Sequence, residues 1–199
     1  MPPKIQYSRE RILDAAVELT RKNGFETLSA RNLGAYLGCS SKPLFTAFRN
    51  MDEIEAEVIK KSREILADYL APAFAGSESF RRIGMQWVHF AKEEPNLYRL
   101  IFMTPGKESV LTLSDITLHF TDLLENILNT VERDFGLTRD EAMIVYNRGL
   151  LIAHSIASLS ITGAATFSDE EVLESYTDVI LGLVDYLKKK RTKEDSKNV

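Results

Sequence analysis

Nine residues packed into a short stretch carry the side chains best suited to recognition: Ser29, Arg31, Ser40, Ser41, Lys42, Pro43, Phe45, Thr46 and Arg49. They supply hydroxyls, cations and one aromatic ring, with no nucleophile–base pair and no metal-ligand spacing among them. Groups of this kind hold a partner rather than make bonds. Cations and hydroxyls meet phosphate oxygens, a base reads guanine, and apolar groups meet thymine methyls. The chemistry they point to is the major groove of double-stranded DNA.

Such a set works only if the backbone fixes it. Leu33 and Leu37 stand one helical turn apart, and Gly38 follows at once as the residue for a tight turn. Ser29 is placed to cap the first short helix, and Ser40 or Ser41 to cap the next. Pro43 would break a helix interior, but in a first turn its missing N–H costs little. Leu44 and Phe48, again one turn apart, pin the second helix inward and leave Ser41, Lys42, Pro43, Phe45, Thr46 and Arg49 on its outer face. The first helix of the pair would cross the phosphate backbone with Ser29 and Arg31. Residues 29–48 therefore read as a helix-turn-helix. A preceding stripe of Ile12, Ala15, Ala16 and Leu19, stopped by Gly24, makes the head a three-helix unit over residues 1–50.

At these residues the chain resembles the tetracycline-repressor (TetR) family of bacterial regulators. The family's pattern is met at Arg11-Ile12-Leu13-Asp14-Ala15-Ala16, Gly24-Phe25, Leu28-Ser29, Tyr36-Leu37-Gly38-Cys39-Ser40, and Leu44-Phe45 with Phe48 and Asn50. The match is dense over about the first 55 residues. A second, weaker likeness covers Trp87–Phe102. The resemblance implies a homodimer, a pseudo-palindromic DNA operator and a small-molecule effector that releases a repressor. Two positions depart from the pattern: Phe45 stands where Tyr is frequent, and Met51 where Lys is. Both removed groups commonly touch phosphate in the family, and each lost phosphate contact reduces the salt slope of binding by about 0.9. Thr46 and Ala47 replace bulkier side chains.

Beyond the head, the pattern is all-α. Asn50 with Glu53 opens a helix that runs from about Met51 to Leu70, before Pro72. A helix spans roughly Ser79 to Lys92, and Pro95 breaks it. Ile116, Phe120, Leu123, Leu124, Ile127, Leu128, Val131 and Phe135 form a stripe closed by Gly136. Thr138 with Glu141 and Ser168 with Glu171 read as capping boxes. The first opens a helix to about Thr162. The second opens the last helix, with a stripe of Val172, Tyr176, Val179, Ile180, Leu183, Val184 and Leu187. Residues 51–190 make a regulatory and dimerisation body, and 191–199 a polar, frayed tail. Gly76 and Pro105–Gly106 mark loops.

Charge divides the same way. Net charge is −4 over 199 residues. Residues 1–50 hold eight Lys/Arg against four Asp/Glu, whereas the remainder holds 17 against 25. A basic head on an acidic body fits a polyanion partner for the head alone. The helix after Thr138 is apolar nearly all round, with small Ala153, Ser155, Ala157 and Ser158 allowing close approach, and the last helix adds Leu173 and Leu181 off its stripe. Both expose more apolar surface than one neighbour covers, so they are expected to pair with their two-fold copies.

The function classes left over are thin. No Gly-rich phosphate loop or nucleophile motif appears, so neither an enzyme nor a cofactor is expected. His89, His119 and His154 lack metal-ligand spacing. Cys39 is a turn residue with no disulfide partner, in keeping with a cytoplasmic chain without a secretory leader. The run from Gly149 to Ser168 is too rich in Ser and Thr for a membrane span. Aromatic residues in the body read first as core. The resemblance adds that some of Trp87, Phe90, Tyr98, Phe102, Phe120 and Tyr146 line the effector cavity. A helical protein-interaction module that has lost DNA binding is the alternative reading, favoured by Phe45 and Met51.

Overall fold

The computed structural model describes residues 7–76, 78–104 and 121–197. Among them are nine α-helices, two short 3-10 turns and no strand. The helices are α1 Arg9–Asn23, α2 Ala30–Leu37, α3 Lys42–Ala47, α4 Met51–Leu70, α5 Ser79–Glu93, α6 Pro95–Phe102, α7 Thr121–Phe135, α8 Arg139–Ile161 and α9 Asp169–Asp195. Phe120, Ile116, His119 and the expected loop at Pro105–Gly106 lie outside the described residues.

The chain forms two compact units. The first takes residues 7–66 together with 94–104. Its core gathers Ile12, Ala16 and Leu19 of α1, Leu33 of α2, Leu44 and Phe48 at α3, Ile54 and Val58 of α4, and Leu100 of α6. This unit is larger than the 1–50 head expected from the sequence. Arg21 pairs with Glu94 at 2.8 Å, and Asn96 Nδ2 donates to the Arg21 carbonyl at 3.0 Å, which closes an open carbonyl at the end of α1. Pro95, expected as a break, is instead the first-turn residue of α6. The proline does end α5, but its fixed φ also starts the next helix.

The second unit takes 67–93 and 121–197 among the described residues. α8 is its central helix and packs on α5, α7 and α9. Close packing there depends on two glycines. A methyl at Gly84 would stand 2.5 Å from Cζ of Tyr176, and one at Gly149 would stand 2.8 Å from the Tyr176 hydroxyl. The two bare positions make the notch into which the Tyr176 ring fits. Asp134 caps α5 by accepting from the Phe80 N–H at 3.3 Å. Both expected capping boxes form in full: Thr138 with Glu141 opens α8, and Ser168 with Glu171 opens α9.

Three expectations need correction. α9 does not fray at residue 191 but runs to Asp195. Arg191 donates to Glu141 at 2.8 Å and reaches the Gly136 carbonyl, so a tertiary contact holds the last turns. Ala153 and Ala157, expected at an outer face, are buried within the unit, because α5, α7 and α9 already surround that side of α8. Val179, placed in the buried stripe of α9, is 49% exposed. α8 also meets the length and hydropathy of a membrane-crossing helix, though 44% of its most apolar window is buried within the chain, in keeping with its place at the centre of this unit.

Candidate nucleic-acid interface

The helix-turn-helix is built as its spacing requires. Ser29 caps α2, its hydroxyl accepting from the Asn32 N–H at 3.2 Å. Gly38 ends the helix in the left-handed region at φ 70°, where a side chain would cost roughly 1–2 kcal/mol. The Cys39 N–H then returns to the Gly34 carbonyl at 2.9 Å. Gly34 matters equally, for a methyl there would stand 2.8 Å from the Cys39 carbonyl oxygen. The sequence reading passed over Gly34. Its signal was a glycine inside a helix five residues before the turn, a position that propensity alone disfavours.

α3 has only six residues, too few to hold a helix by its own hydrogen bonds. Burial holds it instead. Leu44 and Phe48 are 0% and 2% exposed, and each is worth roughly 1.5–3 kcal/mol when fully removed from water. Pro43 sits in the first turn, as expected. Ser41 occupies the N-cap position, but its side chain caps nothing because its own backbone is already helical at φ −68° and ψ −15°. Ser40 is exposed in the turn, so neither serine is the expected cap.

The residues named from the sequence for this face lie at or near the surface. Arg31, Ser40, Ser41, Lys42, Phe45, Thr46 and Arg49 are exposed, and Pro43 and Ser29 half-buried. Phe45 is 45% exposed, unusual for a phenylalanine without a partner face. Thr46 spends its hydroxyl proton on the Lys42 carbonyl at 3.1 Å, leaving its methyl and lone pair for a ligand. The Lys22 ammonium lies 3.3 Å from the Tyr36 hydroxyl and above its ring, adding an exposed cation–aromatic pair beside α2. Neither residue is named from the sequence as a contact residue.

The chain has the TetR-like fold. A TetR from Acinetobacter baumannii AYE superposes with a TM-score of 0.57 at 12% identity, over 92% of this chain and 97% of that one. A TetR-like transcriptional regulator from Rhodococcus sp. RHA1 superposes with a TM-score of 0.51 at 19% identity, over 88% and 93%. In sequence, the uncharacterized HTH-type transcriptional regulator YobS of Bacillus subtilis (strain 168) is 24% identical over 181 residues, 88% of this chain and 90% of that protein. No protein-family model matches the chain.

The second unit holds Trp87, Phe90 and Tyr146, three of the aromatic residues named from the sequence for an effector cavity. Trp87 and Tyr146 do line one internal cavity, with Phe80, Ile83, Ile127 and Tyr176 among its walls. It measures about 20 Å3, room for roughly one water. No charged side chain lines it. The Tyr146 hydroxyl is buried without a hydrogen-bond partner, and burial pushes its pKa up to about 12. Burial likewise raises that of Tyr176, with the neighbouring Tyr146 adding to it. The other described candidates, Phe90, Tyr98 and Phe102, do not join them. Phe90 stacks edge-on with Tyr69 at 5.3 Å, and Tyr98 with Phe102 at 4.7 Å belongs to the first unit. Among the described residues, no cluster of His, Cys, Asp or Glu could hold a metal. His89 pairs with Asp169 at 3.0 Å, and His154 lies 3.4 Å from the Ser158 hydroxyl.

Proposed function

We propose that this chain is a sequence-specific DNA-binding transcriptional regulator, a repressor that leaves a pseudo-palindromic operator when a small molecule binds its helical body. One observation carries the reading: α3 is anchored by Leu44 and Phe48 while Lys42, Phe45, Thr46 and Arg49 stand clear of the core. A helix so held offers two cations, a hydroxyl oxygen and apolar carbon to a groove. Ser41 and Pro43 share its first turn, Ser40 lies in the turn before it, and Ser29 and Arg31 would face the phosphate backbone.

The partners follow from the same architecture. α8 exposes Ile144, Leu151 and Leu159 at 38%, 44% and 42%, and α9 exposes Val179, Leu181 and Tyr186 at 49%, 50% and 61%. A second copy of the chain would cover these side chains and set two reading helices about 34–36 Å apart. The effector would have to widen the one-water cavity beside Trp87 and Tyr146, where an uncharged wall and an unused hydroxyl favour a neutral molecule carrying a hydrogen-bond acceptor. Such a regulator works in the cytoplasm.

Fluorescence-anisotropy titrations against the DNA upstream of the chain's own gene, repeated across salt concentrations, test the reading. Tight, salt-sensitive and sequence-dependent binding is expected, and Lys42→Ala and Arg49→Ala should each weaken it while leaving the helical content intact. Equal affinity for random DNA, or indifference to both substitutions, overturns it.

A further inference from the structure

Arg9 is the first residue of α1, remote in sequence from the reading face, and its guanidinium meets a carbonyl, two carboxylates and a ring face within the first unit. Nη1 donates to the Ala47 carbonyl, the last of α3, at 3.0 Å and lies 3.0 Å from Oε1 of Glu53. Nη2 donates to Glu57 at 2.9 Å. The plane of the group stands 4.0 Å over the Phe48 ring. One side chain thus grips the end of the reading helix, the aromatic that anchors it and two carboxylates one turn apart on α4.

Glu53 carries the link onward. Its Oε2 accepts from the Arg49 backbone N–H at 2.7 Å and lies 3.4 Å from Arg49 Nε, while Asn50 Oδ1 caps the Glu53 N–H at 2.9 Å. The Arg49 N–H, then Arg9 and the Arg49 side chain, hold the Glu53 carboxyl below its ordinary range. The Arg49 side chain itself stays 88% exposed. Arg9 takes the other carboxylate oxygen, Oε1, so that Arg49 meets Glu53 only through its N–H and a long Nε contact and keeps most of its side chain in solvent. Lysine is no substitute, since one ammonium cannot serve a carbonyl, two carboxylates and a ring face together.

We infer that Arg9 is a positioning residue for DNA reading: through Glu53 and Glu57 it locks the C-terminal end of α3 onto α4 and keeps the Arg49 guanidinium presented outward. This rests on the reading of the first unit as a DNA-binding head. The fold does not require the clamp for stability. Arg9 is 44% exposed, and exposed ion pairs contribute little to folding. Its effect falls on where α3 points.

Two measurements on the full chain test it, one with DNA and one without. In operator titrations Arg9→Ala should lower affinity about tenfold, the scale of a lost charged hydrogen bond, with Arg9→Lys restoring only part of it. The salt slope should stay at the wild-type value, because Arg9 neutralises no phosphate. A slope shallower by about one contact makes Arg9 a direct DNA ligand and overturns the inference. Glu57→Gln supplies a sharper arm and leaves Arg9 in place. Removing an acid near DNA should raise affinity if charge alone matters, whereas the clamp requires a drop of about two- to threefold. A rise, or no change, overturns the inference. Hydrogen exchange of the α3 amides in DNA-free protein provides the second measurement. Faster exchange at Leu44–Phe48 in Arg9→Ala supports the clamp even if no operator is bound, which would count against the DNA reading alone. Unchanged exchange overturns the clamp, whatever the DNA result.

Discussion

Tyr146 shows what one buried hydroxyl costs and what it is available for. Its oxygen is shielded from water and pairs with nothing among the described residues. A buried donor left unmade costs about 1–3 kcal/mol. Tyr146→Phe should therefore leave stability unchanged or raise it by up to about 1 kcal/mol in urea melts at neutral pH. The pH dependence follows from the raised pKa. Folded Tyr146 ionises only near pH 12, whereas an unfolded tyrosine ionises near about 10. The contribution is thus complete below about pH 10 and is lost as pH climbs towards the folded value. Urea midpoints measured from pH 8 to 11 should fall less steeply in Tyr146→Phe than in wild type. Identical slopes would show that the hydroxyl is hydrated. The proposed effector contact makes the opposite demand at neutral pH, since an acceptor on the ligand needs the proton that phenylalanine lacks.

At the scale of the element, the notch in α5 makes a strong demand. Gly84→Ala drives a methyl into the Tyr176 ring and should cost about 1–3 kcal/mol, read as a lower melting temperature. In a Tyr176→Leu background that penalty should shrink to less than half, because the obstructing ring atoms are gone. A penalty of equal size in both backgrounds would assign the cost to helix propensity. Elements of this fold were legible where their signals are local. Thr138 with Glu141 and Ser168 with Glu171 lie three residues apart, so each capping box could be read directly and both helices begin where expected. The inward positions of α2 and α3 were legible for the same reason, as Leu33, Leu44 and Phe48 follow one helical period. Signals that depend on distant partners were not legible. Pro95 reads equally as an end and a beginning until Glu94 and Asn96 are seen to join α1. α9 reads as frayed past Lys190 until Arg191 is seen to meet Glu141. The exposed half of the interface was readable as residue types on a face. Gly34 and the Arg9 clamp were not, because each acts through a carbonyl brought near only by folding.

The whole molecule poses the question of valency. One reading helix gives few contacts, and two joined through a rigid body bind as a single ligand with a high effective concentration. On the proposed function, the exposed leucines of α8 and the apolar face of α9 would be the surface for that joining. Leu151→Glu places a charge on it without touching the core, Leu151 being 44% exposed. Sedimentation at micromolar concentration should show a dimer for wild type and a monomer for the variant, with operator affinity falling by orders of magnitude. A wild-type monomer would remove the pseudo-palindrome from the proposal and leave a single half-site.

The fastening of α9 by Arg191 has a further consequence, for synthesis. Among the described residues the first unit ends at residue 104, whereas α8 keeps its N-terminal cap tied to Arg191, fifty positions along the chain from Glu141. Translation at about 5–20 residues per second separates the two by a time on the order of ten seconds. During that interval a nascent chain carries a finished head and an unfinished body. On the proposed function, such a chain would touch DNA only singly, and weakly, until the last helix emerges and two bodies pair. The order of synthesis would then keep partial products from occupying an operator.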